Sequence, residues 1–203
     1  LEEEVGPITV TALEHTRAYE HRGVAEAAAE TFDSDGSPVV FFATRVDLRP
    51  AIDQLPLGVG RDRVMSQVVT AADQAFRRQL SSAGLEDVER TNEGTMDIAT
   101  GHEATAYTYR GSFAATSTID TGFGGTEEIS GTIQMEGRLA VWHDGTDVLI
   151  AGGAYPVERM TAAIDEGLPE GAPDAEELVD SEALSADPAT YEEDVEALIV
   201  SVE

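Results

Sequence analysis

The second half of the chain alternates apolar and polar residues with a period of two, and short runs of turn-forming residues interrupt the alternation. A period of two places successive side chains on opposite faces of a strand, so it favours strands over helices. The pattern predicts five strands between Leu85 and Tyr155, at residues 95–100, 103–113, 128–135, 138–143 and 147–151. The predicted breaks fall at residues 92–94, 101, 122–125, 137 and 144–145. Because these connections are short, neighbouring strands should pair as an antiparallel meander.

The first half of the chain combines strand and helix patterns. Residues 8–13 alternate apolar residues with Thr, and residues 39–43 are continuously apolar, so each stretch predicts a strand. The clearest helix extends from Val64 to Leu80, where apolar residues recur at intervals of three and four and Gly84 follows as a C-terminal cap. Further helices are predicted in the second half of residues 14–31, at 157–168 and at 188–203. The expected fold class is α+β: an antiparallel β-sheet flanked by helices.

Charge divides the chain near residue 168. Residues 1–168 hold 28 acidic residues and every Arg, whereas residues 169–203 hold 12 acidic residues and no Arg. The shift predicts a single α+β domain over residues 1–168, an exposed acidic linker over 169–187 and an amphipathic helix over 188–203 that packs on the domain. Asp187 and Pro188 provide the N-cap and first turn of that helix. An alternative is that its apolar stripe binds a partner.

The net charge limits which partners and environments suit the chain. It is -28, from 40 acidic residues against 12 basic residues, all of them Arg, with no Lys. Such a surface repels a phosphate backbone, which excludes nucleic acid as a partner, and it disfavours anionic membranes. In molar salt the Debye length falls to about 3 Å and the self-repulsion of the carboxylates is screened. The composition therefore indicates a protein of a halophile.

Two pieces of the predicted sheet resemble the PsbP/Mog1-like group. They are residues 101–107, with the sequence GHEATAY, and residues 139–156, which begin with LAVW and end in Tyr-Pro. The resemblance implies an α/β/α sandwich around an antiparallel sheet, and an accessory protein, often secreted or lipid-anchored, rather than an enzyme. No motif of that group transfers catalytic residues onto this chain. The whole chain also resembles uncharacterised haloarchaeal families that carry a lipoprotein leader.

An extracytoplasmic location is expected from the start of the chain. Residue 1 is Leu rather than Met, and residues 1–4 fit a short acidic tether before the first strand. We expect a membrane anchor in an N-terminal segment that precedes Leu1 and is absent from the sequence; a cytoplasmic location is the alternative. No apolar run approaches the roughly eighteen residues of a spanning helix. The absence of Cys fits either compartment.

Aromatic residues of the predicted sheet are the candidate ligand-binding residues. Tyr107, Tyr109 and Phe113 share one parity on a predicted strand, so their side chains point to the same face. Trp142 is expected to line that face with them, and Phe123 to stand exposed in the glycine-rich loop at 122–125 as a contact anchor. The ordinary interpretation of the set is core packing beneath a helix. The functional interpretation is a cavity for a small apolar ligand.

No catalytic, metal or cofactor site is expected. The four histidines lack a helical metal-binding spacing, although His102 and His143 would meet if their strands were neighbours. Residues 33–37 copy the start of a calcium-binding loop but lack its terminal Glu, which favours a turn. Cys is absent, no Ser lies in a Gly-x-Ser-x-Gly elbow, and the loop at 122–125 has no phosphate-binding spacing.

Three functional hypotheses remain open. The first is a non-enzymatic, extracytoplasmic accessory protein that binds a partner protein or a small apolar ligand on its sheet. The second is a carboxylate- or cation-dependent hydrolase that uses acids near residues 122–128, which requires a concave pocket with convergent acids. The third is an intracellular scaffold that contacts partners through the helix at residues 188–203.

Overall fold

A computed structural model describes residues 2–5, 8–32, 37–51, 54, 61–120, 126–168, 174–175 and 181–203. Its strands are β1 (Glu2–Val5), β2 (Ile8–Glu20), β3 (Val40–Arg49), β4 (Leu85–Asp97), β5 (Glu103–Asp120), β6 (Thr126–Asp144) and β7 (Asp147–Pro156). Its helices are α1 (Arg22–Thr31), α2 (Arg61–Ser82), α3 (Met160–Gly167), α4 (Glu182–Ser185) and α5 (Pro188–Val200). None of the described helices is long and apolar enough to cross a membrane.

The seven strands form one sheet in the order β1-β2-β3-β7-β6-β5-β4, and all neighbouring strands are antiparallel. The predicted α+β fold with an antiparallel sheet is confirmed. The consecutive strands β4 to β7 form the predicted meander, and the tight connection between β6 and β7 contains Gly145 at φ +58°. That left-handed conformation suits glycine, which explains why the Asp144-Gly145 pair marked this hairpin correctly in the sequence.

Helices lie on both faces of the sheet. On one face, the Phe76 ring of α2 contacts the rings of Phe42 on β3 and Tyr109 on β5, with centroids 5.6 and 5.1 Å apart. On the other face, Val195 of α5 packs where a Cβ on Gly153 of β7 would stand. The core therefore occupies two layers, one between the sheet and α2 and one between the sheet and α5.

The helix ends follow the local signals of the sequence. Gly84 follows α2 with φ +93°, the left-handed conformation expected of a C-terminal cap. At the start of α5, Asp187 Oδ1 accepts a hydrogen bond of 3.1 Å from the Ala189 N–H, and Pro188 occupies the first turn. Both predicted caps are confirmed.

Three strands differ from their predicted extents. Residue 137 was expected to break a strand, but β6 continues through Gly137 because the missing side chain makes room for Leu80 and Phe76 of α2. The strand predicted at 95–100 is only the end of β4, which starts at Leu85 and crosses the expected turn at 92–94. Similarly, β2 continues to Glu20 because it pairs with β3 over its whole second half.

Residues 169–187 were expected to form an exposed acidic linker, but the described residues of this segment include a short helix and buried side chains. It contains α4, whose Leu184 is fully buried, and Ala175 is also buried. The Ala175 N–H donates a hydrogen bond of 2.7 Å to Asp165 Oδ1 of α3. Spaced apolar residues thus attach this acidic segment to the domain.

Candidate functional site

A groove lies beside α2 on one face of the sheet. The helix packs over β4, β5 and β6, where Leu80 and Phe76 fill the space above Gly137. Toward β2 the helix no longer covers the sheet, and Glu14, Thr16 and other β2 side chains are exposed. The resulting groove between α2, β2, β3 and β7 has a volume of about 570 Å³. This volume is typical of sites that bind small molecules.

Strand register determines which side chains form the floor of the groove. Thr44 on β3 lies opposite Thr16 on β2 and opposite Ile150 on β7, so the three side chains point to the same face. Alternate residues of β3 complete the floor: Phe42, Val46 and Leu48. The floor is therefore mainly apolar, apart from Glu14 and the two threonine hydroxyls, which are hydrogen-bonded to each other at 2.8 Å.

The wall that α2 contributes is polar but uncharged. Its groove-lining residues combine apolar side chains with hydroxyl and amide groups, from Ser66, Gln67, Thr70, Gln74 and Gln79. The Thr70 hydroxyl donates a hydrogen bond of 2.8 Å to the Ser66 carbonyl oxygen, while the amides of the glutamines can both donate and accept. The wall can therefore form hydrogen bonds with a ligand without requiring a charge on it.

Glu14 is the only charged residue among the described residues that line the groove. In the chain as a whole, 26% of residues are charged and the net charge is -28. A lining with a single charged side chain in so acidic a protein reduces the electrostatic cost of placing an apolar molecule there, and its described residues offer no cation to an anionic group. The groove is thus suited to a neutral, largely apolar ligand with a few hydrogen-bonding groups.

A family model described as a domain of unknown function, DUF6517, matches residues 1–203. The chain belongs to this family. No curated protein and no solved structure matches it.

In this DUF6517 chain, Tyr107, Tyr109 and Phe113 do point to one face, as predicted, because β5 pairs with β6 without a register shift. They lie beneath or beside α2 and do not line the groove. Tyr109 is fully buried, and its hydroxyl donates a hydrogen bond of 2.6 Å to Asp73 Oδ1. Burial, followed by this hydrogen bond, raises the pKa of Tyr109. The geometry of these rings is that of core packing; ligand binding by them stays a prediction.

Trp142 lies on the opposite face, which corrects the expectation that it shares a face with the tyrosines. Tyr107 stands opposite Leu139 on β6, which in turn stands opposite Gly152 on β7, so these three residues share one face. Trp142 lies three residues after Leu139 on β6 and stands opposite Leu149, so its side chain points to the other face. Parity relates faces within one strand, but only the register between strands relates faces across the sheet. Trp142 is buried.

Phe123 lies outside the described residues, as does the rest of the loop at 122–125.

The histidines at the turns do meet. The His102 and His143 ring centroids are 6.5 Å apart, and His102 Nε2 lies 3.2 Å from Asp144 Oδ1. Across the described part of the chain, however, no group of three or more His, Cys, Asp or Glu has an arrangement that would hold a metal ion.

His21 has a structural role that the sequence did not indicate, because its Nδ1 accepts a hydrogen bond from the Val24 N–H and caps α1. Most of the calcium-like segment at 33–37 lies outside the described residues.

Sequence reasoning missed the groove because its floor combines three strands that are distant in the chain. One signal was nevertheless present. Between Met65 and Phe76, the amphipathic helix α2 carries one acidic residue, Asp73, although its outer surface is polar. A solvent-facing helix in a chain with 40 acidic residues would ordinarily carry more, so its run of Ser, Gln and Thr marked an unusual surface.

Proposed function

We propose that this DUF6517 protein is a non-enzymatic binding protein that holds a small, uncharged, largely apolar molecule in the groove between α2 and the sheet. The observation that carries the proposal is a 570 Å³ groove whose described lining has one charged residue, Glu14, in a chain of net charge -28. Negative charge elsewhere on the surface keeps such a protein soluble, and the groove offers an apolar floor for the ligand.

The groove chemistry supports binding rather than catalysis. General acid–base chemistry needs at least one ionisable group matched to its task, and hydrolysis by paired carboxylates needs two. Among its described lining residues, the groove offers Glu14 alone, and this residue is exposed. Ser66, Gln67 and Gln74 instead offer neutral hydrogen bonds that would orient a ligand carrying a hydroxyl or carbonyl group.

A neutral fluorescent probe tests the proposal. N-phenyl-1-naphthylamine is apolar and uncharged, so it should bind the groove saturably in KCl solution with an increase in emission. Ala75 lines the groove and is exposed on α2, so Ala75→Trp should fill the groove and weaken binding at least about tenfold without entering the core.

Ala197 is the matched control, because it is an exposed helical Ala on α5, on the opposite face of the sheet. Ala197→Trp should leave the affinity unchanged, and Glu14→Gln should also retain binding of this uncharged probe. Equal affinities of the two Trp variants, or no saturable binding by the wild type, would refute the proposal.

We also propose that the protein acts as an extracytoplasmic accessory protein in a halophile. The proposal is supported by the Lys-free acidic composition and by the resemblance of residues 101–107 and 139–156 to the PsbP/Mog1-like group. The intact mass of the endogenous protein and its partitioning between membrane and soluble fractions test it. A lipid-modified, membrane-associated form is the expected result, and an unmodified form in the cytosol would contradict the proposal.

A further inference from the structure

The groove between α2 and the sheet is much longer than it is wide. Its lining on α2 extends from Val64 to Gln79, which is a length of about 22 Å at the rise of an α-helix. Its lining on β3 extends from Phe42 to Leu48, which is about 20 Å at the rise of a strand. Two elements of different geometry therefore give nearly the same length for the groove.

The helix and the strand follow the groove side by side. The ring centroids of Phe42 and Phe76 are 5.6 Å apart, so the C-terminal part of α2 lies at the Phe42 end of β3. Lining residues occur on every turn of α2 between residues 64 and 79. The groove therefore runs along the whole helix and reaches Leu48 at its other end.

Length and volume together define the shape of a ligand that fills the groove. Over a length of about 20 Å, the volume of 570 Å³ corresponds to a mean cross-section of about 28 Å². A groove of this cross-section is about 6 Å across, which admits a single extended hydrocarbon chain, because apolar carbons contact one another at about 4 Å. A compact molecule of the same volume would be about 10 Å across, wider than the groove.

Apolar side chains are distributed along the full length of the groove. The sheet contributes four of them, and the small or branched residues of α2 face them from the wall: Phe42, Val46, Leu48, Ile150, Val64, Val68, Ala71 and Ala75. A hydrocarbon chain lying along α2 would therefore contact apolar atoms over its whole length. Burial of apolar surface against such a lining is the main source of affinity for a chain of this kind.

The polar groups of the groove suit an uncharged head group. The amides of Gln67, Gln74 and Gln79 can donate hydrogen bonds to a hydroxyl oxygen and accept them from a hydroxyl group. None of the described lining residues is Arg or His, and Glu14 is the one residue among them that carries a charge. An anionic head group would therefore lose hydration without gaining a cationic partner, and Glu14 would repel it.

We propose that the groove holds one single-chain lipid with an uncharged head group, of the class of long-chain alcohols, with its hydrocarbon chain extended along α2. This inference rests on the proposed function, because it assigns the class of ligand to the same groove. A second hydrocarbon chain would exceed the cross-section of the groove, so two-chain lipids are excluded. Fatty acids are disfavoured because the described lining offers their carboxylate no cation.

Primary alkanols of increasing length test the shape of the site. Alkanols of six to fourteen carbons, each below its solubility limit, displace N-phenyl-1-naphthylamine from the full chain in 2 M KCl. An extended chain grows by about 1.25 Å per methylene, so a groove of about 20 Å accepts about sixteen carbons, whereas a compact cavity about 10 Å across accepts about eight. The affinity should therefore rise about threefold per methylene over the whole series.

Ala71→Trp tests whether the chain lies along α2. Ala71 is exposed and stands near the middle of the helical lining, so a Trp there should divide the groove and make the affinity level off near eight carbons. Ala197→Trp on the opposite face of the sheet is the control and should follow the wild-type series. Levelling near eight carbons in the wild type, or an Ala71→Trp series parallel to it, would overturn the extended chain.

Dodecanol and dodecanoate, compared at pH 8, test the head group. Dodecanoate should bind at least about fivefold more weakly, and Glu14→Gln should narrow that ratio because it removes the charge from the described lining. Equal affinities of the two ligands for the wild type would overturn the uncharged head group. Saturable binding of N-phenyl-1-naphthylamine without the chain-length dependence would leave the proposed function standing while removing the lipid, whereas no saturable binding of the probe would refute both.

Discussion

The Tyr109 hydroxyl on β5 donates a hydrogen bond of 2.6 Å to Asp73 Oδ1 on α2. Asp73 also accepts a hydrogen bond of 3.3 Å from Arg77 Nε, and the Tyr109 ring packs edge-on against Phe76. These contacts attach the middle of α2 to the sheet. Because α2 forms one wall of the groove, the Tyr109–Asp73 pair also determines where that wall stands.

Tyr109→Phe should lower the free energy of unfolding by about 1–2 kcal/mol, because it removes a buried hydrogen bond to a carboxylate while keeping the ring. Urea unfolding in KCl measures the change. Tyr19→Phe is the matched control: Tyr19 is 53% exposed, so the loss there should stay within about 0.5 kcal/mol. Equal losses of unfolding free energy in the two variants would show that the Tyr109–Asp73 hydrogen bond does not stabilise the folded protein.

Alkaline pH should destabilise the protein. Burial raises the pKa of Tyr109 and Tyr155 in the folded state, and hydrogen bonds to Asp73 and Glu136 raise it further. An unfolded tyrosine loses its proton near its usual value of 10.0. Above that pH the unfolded chain binds fewer protons than the folded one, so stability is complete below about pH 9 and falls as pH rises beyond 10.

Above pH 10, each tyrosine that the folded state keeps protonated should lower the free energy of unfolding by about 1.4 kcal/mol per pH unit. Urea unfolding between about pH 8 and pH 11.5 should show this loss, and the slope should be shallower for Tyr109→Phe than for the wild type. An unfolding free energy that stays constant above pH 10 would contradict the expectation.

Arg138 connects the sheet to α5. Its guanidinium contacts Glu136 on its own strand and Glu192 and Glu196 on α5, and its Nε donates a hydrogen bond of 2.8 Å to the Tyr155 hydroxyl. Arg138→Met leaves three carboxylates without their shared cation, and Glu136 among them is buried. We expect a loss of about 3 kcal/mol in urea unfolding and faster amide hydrogen exchange in α5.

Arg78→Met is the control for Arg138, because Arg78 is exposed on α2. It should change stability by less than about 0.5 kcal/mol. If Arg138→Met unfolded at the same urea concentration as this control, the guanidinium would not be what holds α5 to the sheet.

Gly131 on β6 is required by the close approach of α3. A Cβ at this position would overlap the carbonyl group of Ala163. Gly131→Ala should therefore displace α3 and cost about 2–3 kcal/mol, or roughly 5–10 °C in melting temperature. At Gly94 on β4, no heavy atom of the described residues lies within 4 Å of the position that a Cβ would take, so Gly94→Ala should leave the melting temperature nearly unchanged. Similar melting temperatures for the two variants would contradict the packing argument.

Salt should stabilise the protein strongly. With a net charge of -28, raising KCl from about 0.1 M to 2 M should increase the melting temperature steeply as repulsion between carboxylates is screened. Replacing the exposed acids Glu86 and Glu89 by Gln should raise the melting temperature at low salt and make its dependence on KCl shallower. A melting temperature independent of salt would remove the basis for the halophile proposal.

Elements with a strong local signal could be predicted from the sequence. The regular spacing of α2 with Gly84 behind it, the Asp187 cap of α5 and the Asp144-Gly145 hairpin all depend on residues within a few positions of one another. Alternation likewise placed Tyr107 and Tyr109 on one face of β5. In each case the determining interactions are local, so a single stretch of chain specifies them.

The tertiary structure decided what depends on several segments at once. Trp142 lies on the face opposite Tyr109 because of the pairing between strands, and Gly137 lies within β6 because α2 fills the space above it. The groove combines side chains of α2, β2, β3 and β7. The sequence by itself therefore determined the fold class, the charge and the ends of the main helices, because those follow from local propensity and composition. Only the packed structure created the nearly uncharged groove, because register and helix placement depend on contacts between residues that are far apart in the chain.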